Sequence, residues 1–147
     1  MYLTSTSPQY STGDLILPGD WVRTVVYPLG YGHHGVVRSV VPTFNGYIIQ
    51  VLNNDKSVGV TISDWYAFSP FGAVELYRRP DSPQHASQII ARAESQIGKP
   101  YDLFAQNCEH FTSWAYDGTP VSKQLQVAAL LGIGAIALTW AFSDARQ

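Results

Sequence analysis

Asn107-Cys108-Glu109-His110-Phe111 is the stretch that decides how this chain is read. Asn is a good helix N-cap, because its side-chain oxygen accepts the unpaired N–H groups of the first turn. Phe111 and Ala115 then recur on the face of Cys108 at helical spacing, and Gly118 can end the run. Cys108 falls in the first turn, where unpaired N–H groups and the helix dipole favour an anion. Catalytic thiols use this position. A lone cysteine in a small protein is more often a packed, inert residue, so position alone does not assign a role.

Upstream lies a second helical pattern. Ser82 is a cap, Pro83 suits a first helical position, Ile89, Ile90, Ala93 and Ile97 form one stripe, and Gly98 can stop it. Before that, the texture is that of strands. Trp21–Tyr27, Gly35–Val41, Tyr47–Leu52, Ser57–Ile62 and Ala73–Arg78 are short runs rich in Val, Ile and aromatics. Breakers part them at Pro28 to Gly32, Pro42 to Gly46 and Asn53-Asn54-Asp55. Strands joined by such tight turns pair antiparallel. Strands first and helices last predict an α+β fold, an antiparallel sheet followed by helices. Met1–Pro18, rich in Ser, Thr, Tyr and Pro, reads as a loose arm. Beyond Pro120 a last helix is expected over Lys123–Phe142. Its core, Val127–Phe142, carries no charge. A helix of that length reaches ~24 Å against a hydrocarbon thickness of ~30 Å, which is marginal for a span.

Composition narrows the function classes. The chain has 147 residues, enough for one domain with a real core. It is 46% hydrophobic and 14% charged, too apolar for disorder. Its net charge of −2 speaks against a general electrostatic nucleic-acid binder. Tyr77, Arg78, Arg79 and Lys123 are a thin basis for RNA contact, better explained as a solvated face. Cys108 is the single cysteine, so no intrachain disulfide forms and a reducing compartment is the simpler setting. The start of the chain does not read as a signal peptide. Zinc fits poorly, since Cys108 and His110 diverge on a helix and there is no second cysteine. No cofactor and no metal are expected.

A nucleophilic thiol needs a base within hydrogen-bond reach. His33, His34, His85 and His110 are the candidates. His110 stands about 200° around the helix from Cys108 and points away. His85 opens the preceding helix and faces solvent. Of His33 and His34, adjacent on a strand, at most one faces Cys108.

Three motifs together resemble the lecithin:retinol acyltransferase-like family, a circularly permuted branch of the papain-like NlpC-type fold. They are Gly19-Asp20-Trp21-Val22-Arg23, the H-box Gly30-Tyr31-Gly32-His33-His34-Gly35-Val36-Val37, and Asn107-Cys108-Glu109-His110-Phe111. They occur in the family's order, and the resemblance spans 19–118. It implies Cys108 as nucleophile, His33 as base and His34 as a packing residue. A second histidine that orients the first is expected to end the next strand. In Gly46-Tyr47-Ile48-Ile49-Gln50 that place holds Gln50, whose amide oxygen could accept the imidazole N–H without supplying a charge. The implied chemistry is thiol acyl transfer through a thioester, with backbone N–H groups near Cys108 holding the oxyanion.

The resemblance also implies an organisation: an arm over 1–18, the family domain over 19–118, and a hydrophobic helix and tail over 119–147. Val127–Phe142 sits where members carry a membrane-associating segment, so membrane and phospholipid are expected partners. A narrower resemblance is to picornavirus 2A proteins of the H-box/NC type. They share the H-box, the NC motif and the hydrophobic end, and the final Gln147 matches the residue after which picornaviral processing proteases cut. It implies a non-proteolytic role in viral RNA replication or host-membrane remodelling, host or viral protein partners, and a place in the host cytoplasm at intracellular membranes. The other reading is an active phospholipid acyltransferase or hydrolase of a cellular or bacterial host.

Overall fold

The computed structural model describes residues 8–10, 12–26, 31–70, 73–123 and 125–132. Five strands form one antiparallel sheet: β1 Trp21–Val26, β2 Tyr31–Thr43, β3 Gly46–Asp55, β4 Gly59–Asp64 and β5 Val74–Arg78. Their order is β4-β3-β2-β1-β5. Three helices complete the elements: α1 Trp65–Phe68, α2 Pro83–Glu94 and α3 Cys108–Asp117. The fold is α+β, with the strands ahead of α2 and α3.

Strand alternation sorts the sheet into two cores. On one face Trp21, Val36, Leu52 and Val60 pack against Ile89 and Ala93 of α2 and Phe111, Ala115 and Tyr116 of α3. On the other face Val22, Val37, Val51 and Val74 pack against Phe68 of α1 and against Tyr10 and Ile16. The segment before Pro18 is therefore not a loose arm where it is described. Tyr10 and Ile16 are buried, and the buried Asp20 carboxylate accepts from the Tyr10 hydroxyl and the Leu17 N–H. Arg79 closes the same carboxylate with two hydrogen bonds of 2.8 Å.

Several boundaries differ from the sequence expectation. Thr43 and Asn53-Asn54-Asp55, expected in breakers, lie inside β2 and β3. Asn53 is tolerated there because both ends of its amide find partners inside the protein, and Asn54 because its Nδ2 does, described below. The H-box from Tyr31 onward is strand as well. Ile97 does not extend α2, which ends at Glu94 with Ser95 as C-cap. Gly98 instead takes positive φ and donates its N–H to the Val60 carbonyl. α3 runs as expected, from the Asn107 cap to Gly118 in the left-handed conformation.

After Pro120 the chain is helical at 123 and over 125–132. The remainder of Val127–Phe142, from 133 on, lies outside the described residues. Among the described residues no helix is long and apolar enough to cross a membrane.

Candidate functional site

α3 delivers Cys108 to the sheet. Asn107 caps the helix by accepting from the N–H groups of Glu109 and His110 at 3.0 and 2.9 Å. His110 closes the box in return, its Nδ1 accepting the Asn107 N–H at 3.4 Å. That fixes His110 in the cap, a role usually filled by Glu or Gln. Its ring is thereby engaged with its own helix terminus rather than with the thiol. His85 is likewise local to its own helix start, with the Asp81 N–H on its Nδ1.

The thiol meets β2 at its backbone. Val37 N and O bond the segment leading into β1, so alternation turns Gly32 O and His34 N the other way, toward β3. The β2–β3 ladder runs only as far as the Gly35–Asn53 rung. Past that rung the head of α3 takes over: Cys108 Sγ lies 3.8 Å from the Gly32 carbonyl oxygen. The N–H groups of His34, Glu109 and Cys108 also bear on the sulfur and favour its anion. Burial outweighs them and, with the Glu109 carboxylate nearby, pushes the thiol above its ordinary value. Glu109 is itself buried and accepts from Ser122 Oγ at 2.8 Å. At rest the sulfur is a thiol, which corrects the expectation that the helix start alone would make a thiolate accessible.

The two imidazoles project from β2 to opposite faces of the sheet, His34 to the face that carries Trp21 and α3 and His33 to the face that carries Phe68, and their hydrogen bonds distinguish them. Trp21 Nε1 donates to His34 Nδ1 at 2.8 Å. An indole nitrogen is donor only. The lone pair of His34 is thus already committed, and its ring is buried between Trp21 and Tyr77. Burial pushes it down to about 4. His33 stands on the face of Phe68, ring centroids 5.0 Å apart. Its Nε2 lies 3.1 Å from Asn53 Oδ1. Burial also lowers His33, against a smaller opposing effect of the Asn53 hydrogen bond. The hydrogen bonds among the described residues hold the thiol on Gly32 and the His33 ring on Asn53. A direct thiol–imidazole bond is not among them, so proton transfer requires the pair to close, as apo sites commonly do.

Gln50 does not join the site. A register shift between Val37 and Ser39 sets it opposite Ser39, roughly 20 Å along β2 from His33 at about 3.3 Å per residue. Its Oε1 accepts from Arg38 at 2.7 Å and Ser39 at 3.1 Å. The amide on His33 belongs to Asn53, which the sequence reading had placed in a turn. The next residue, Asn54, points to the other face and donates to the Gln106 carbonyl at 2.6 Å, just before the α3 cap. No sequence periodicity marks this pair, because polar residues in the middle of a buried strand resemble a break.

Of the four residues considered for RNA, Arg78 pairs with Asp117 and Arg79 with Asp20. Lys123 rests against the Tyr77 hydroxyl at 3.3 Å.

Comparison with known proteins agrees with the motif reading. A family model described as lecithin retinol acyltransferase matches residues 14–121. Lecithin retinol acyltransferase of Rattus norvegicus is 42% identical over 40 residues, covering 26% of this chain and 17% of the rat protein. The matched stretch is thus well under a fifth of that relative's length.

Proposed function

The chain belongs to the lecithin retinol acyltransferase family, and on that premise we propose that it transfers acyl groups from a lipid ester through a Cys108 thioester, with His33 as the base. The observation that carries the proposal is the hydrogen-bond inventory at the head of α3. The thiol sits where three backbone N–H groups favour its anion. Of the two histidines of the H-box, only His33 keeps a lone pair that no described donor occupies. His34 has given its own to Trp21.

The steps follow from that inventory. The thiol is protonated at rest, so attack is coupled to proton transfer from Sγ to His33 Nδ1. The sulfur bonds the acyl carbonyl carbon, and the Cys108 N–H, left over when the Asn107 cap takes those of Glu109 and His110, receives the oxyanion. The ester C–O bond breaks, and the leaving alkoxide takes the proton back from His33. Water or an acceptor alcohol or amine then attacks the thioester, again giving its proton to His33. Val127, Leu130 and Leu131 are exposed on the last helix, which supports a site working at a lipid surface. The permuted papain-like assignment rests on the order of the three motifs.

A second reading is a non-catalytic interaction module, the role implied by the picornavirus 2A resemblance. The burial that holds Cys108 protonated favours it. Intact mass after incubation with phosphatidylcholine vesicles separates the two. An acyl adduct on the wild type that vanishes in Cys108→Ser supports acyl transfer. An unchanged mass under conditions where His33 and the fold are intact leaves the interaction module.

A further inference from the structure

We infer that Asn53, not Gln50, is the positioning residue of His33, and that the Val51 carbonyl together with Ser63 of β4 holds the Asn53 amide so that the His33 proton resides on Nε2. The inference deepens the proposed acyl transfer and rests on that reading only for its catalytic consequence.

The argument is one of donors and acceptors. Asn53 is 1% exposed, so its amide has no solvent to fall back on. Its Nδ2 lies 3.2 Å from the Val51 carbonyl oxygen, which only accepts. The same Nδ2 donates to Ser63 Oγ at 2.9 Å. With the nitrogen so placed, Oδ1 must be the atom 3.1 Å from His33 Nε2. An amide oxygen accepts, so Nε2 carries the hydrogen and Nδ1 keeps its lone pair. Strand geometry makes the contact possible: the Gly35–Asn53 rung sets Asn53 two residues from His33 on the same face. Gly35 leaves room beside it, since a Cβ there would meet Val51 Cγ1 at 2.5 Å and Phe68 Cε2 at 2.9 Å. A neutral amide orients the ring without adding charge, which suits a base that must begin unprotonated.

The charged and titratable groups near the ring are Asp55 at the end of β3, Lys56 just after it, and His34 beside it on β2. Cys108 and Glu109 of α3 bear on His34, the thiol through the His34 backbone N–H and the carboxylate through its charge. None of them is altered in the variants below. Nitrogen-15 NMR of histidine-labelled full-length chain reads the tautomer directly. Wild type is expected to show His33 as the Nε2–H form. Asn53→Ala should give a tautomer mixture, whereas Gln50→Ala should leave the wild-type pattern. Asn53→Asp should keep Nε2–H and raise the His33 titration midpoint by about one pH unit or more. Ser63→Ala, which removes one of the two groups holding the amide, should broaden the same resonances and serves if Asn53→Ala fails to fold. On phosphatidylcholine vesicles, Asn53→Ala should lower kcat at least about 10-fold, toward the ~10⁴-fold of a triad in the wrong tautomer, with KM within about twofold. An unchanged His33 tautomer in both Asn53→Ala and Ser63→Ala overturns the inference, as does an unshifted midpoint in Asn53→Asp or a shifted pattern in Gln50→Ala. Should the NMR results hold while wild type transfers no acyl group, the proposed function fails and the positioning role stands.

Discussion

Acidification tests the environment of His34, the ring behind the thiol. The folded imidazole is held down to about 4 from an ordinary 6.5. Burial is the main cause, with the Glu109 carboxylate opposing it and Arg23 and His33 adding to it. The unfolded chain therefore binds a proton on this ring near the ordinary value, while the folded chain refuses it until about 4. Between those limits the unfolded state holds more protons, so stability falls as pH falls and levels off below the folded value. A span of roughly 2.5 pH units at about 1.36 kcal/mol each amounts to about 3 kcal/mol, a large share of a small domain's stability. The ring is 2% exposed, so solvent screening does not erode the figure much. Urea unfolding of wild type and His34→Gln at pH 7 and at pH 4.5 isolates this one group. Glutamine can still accept from Trp21 Nε1 but does not titrate. Carboxylates contribute equally to both proteins and cancel. We expect His34→Gln to be the less stable protein at pH 7, through lost packing, and the gap to close or reverse at pH 4.5 by about 2.5 kcal/mol. A gap that stays constant within ~0.5 kcal/mol would refute the claim that this ring is buried neutral.

Asn107→Ala removes the acceptor for two helix N–H groups and should cost about 1–2 kcal/mol, read as a lowered urea midpoint with unchanged slope. Gly35→Ala places a methyl against Val51, Phe68 and the Leu52 carbonyl, and a loss of about 1–3 kcal/mol is expected in thermal unfolding. Arg79→Met leaves the fully buried Asp20 carboxylate without its cation, which should cost about 3 kcal/mol at neutral pH, read as a lowered urea midpoint. Iodoacetamide should alkylate Cys108 in the resting protein more slowly than free cysteine at pH 7.5, because burial raises the thiol; faster alkylation would mean that the anion-favouring N–H groups win.

The cap was legible before any coordinates. Asn107, the helical spacing of Phe111 and Ala115, and Gly118 describe α3 completely, since capping and helix termination are local events decided within a few residues. The strand runs were legible for a similar reason: β-branched and aromatic residues fit a pleated, half-buried surface wherever it lies. Asn53 and Asn54 were misread because their local chemistry belongs to turns. Only the approach of β4 and β2 on one side and of the segment leading into α3 on the other supplies the partners that keep two consecutive amides in a strand.

The choice between residues was decided by tertiary structure for the same reason. From order alone, Gln50 stood in the place of an orienting group, three residues ahead of Asn53, whose amide meets His33. The β2–β3 register, Gly35 opposite Asn53 and Ser39 opposite Gln50, sets Gln50 well along β2 from His33, and register depends on how two strands pair rather than on either strand's own residues. His33 and His34 are likewise equivalent as neighbours in a chain. The indole of Trp21, from another strand, takes the lone pair of one and leaves the other to Asn53. Local propensity and motif order determined where the helix begins and which thiol it carries. Long-range hydrogen bonding determined which of the two neighbouring imidazoles has its lone pair taken by an indole and which meets an amide.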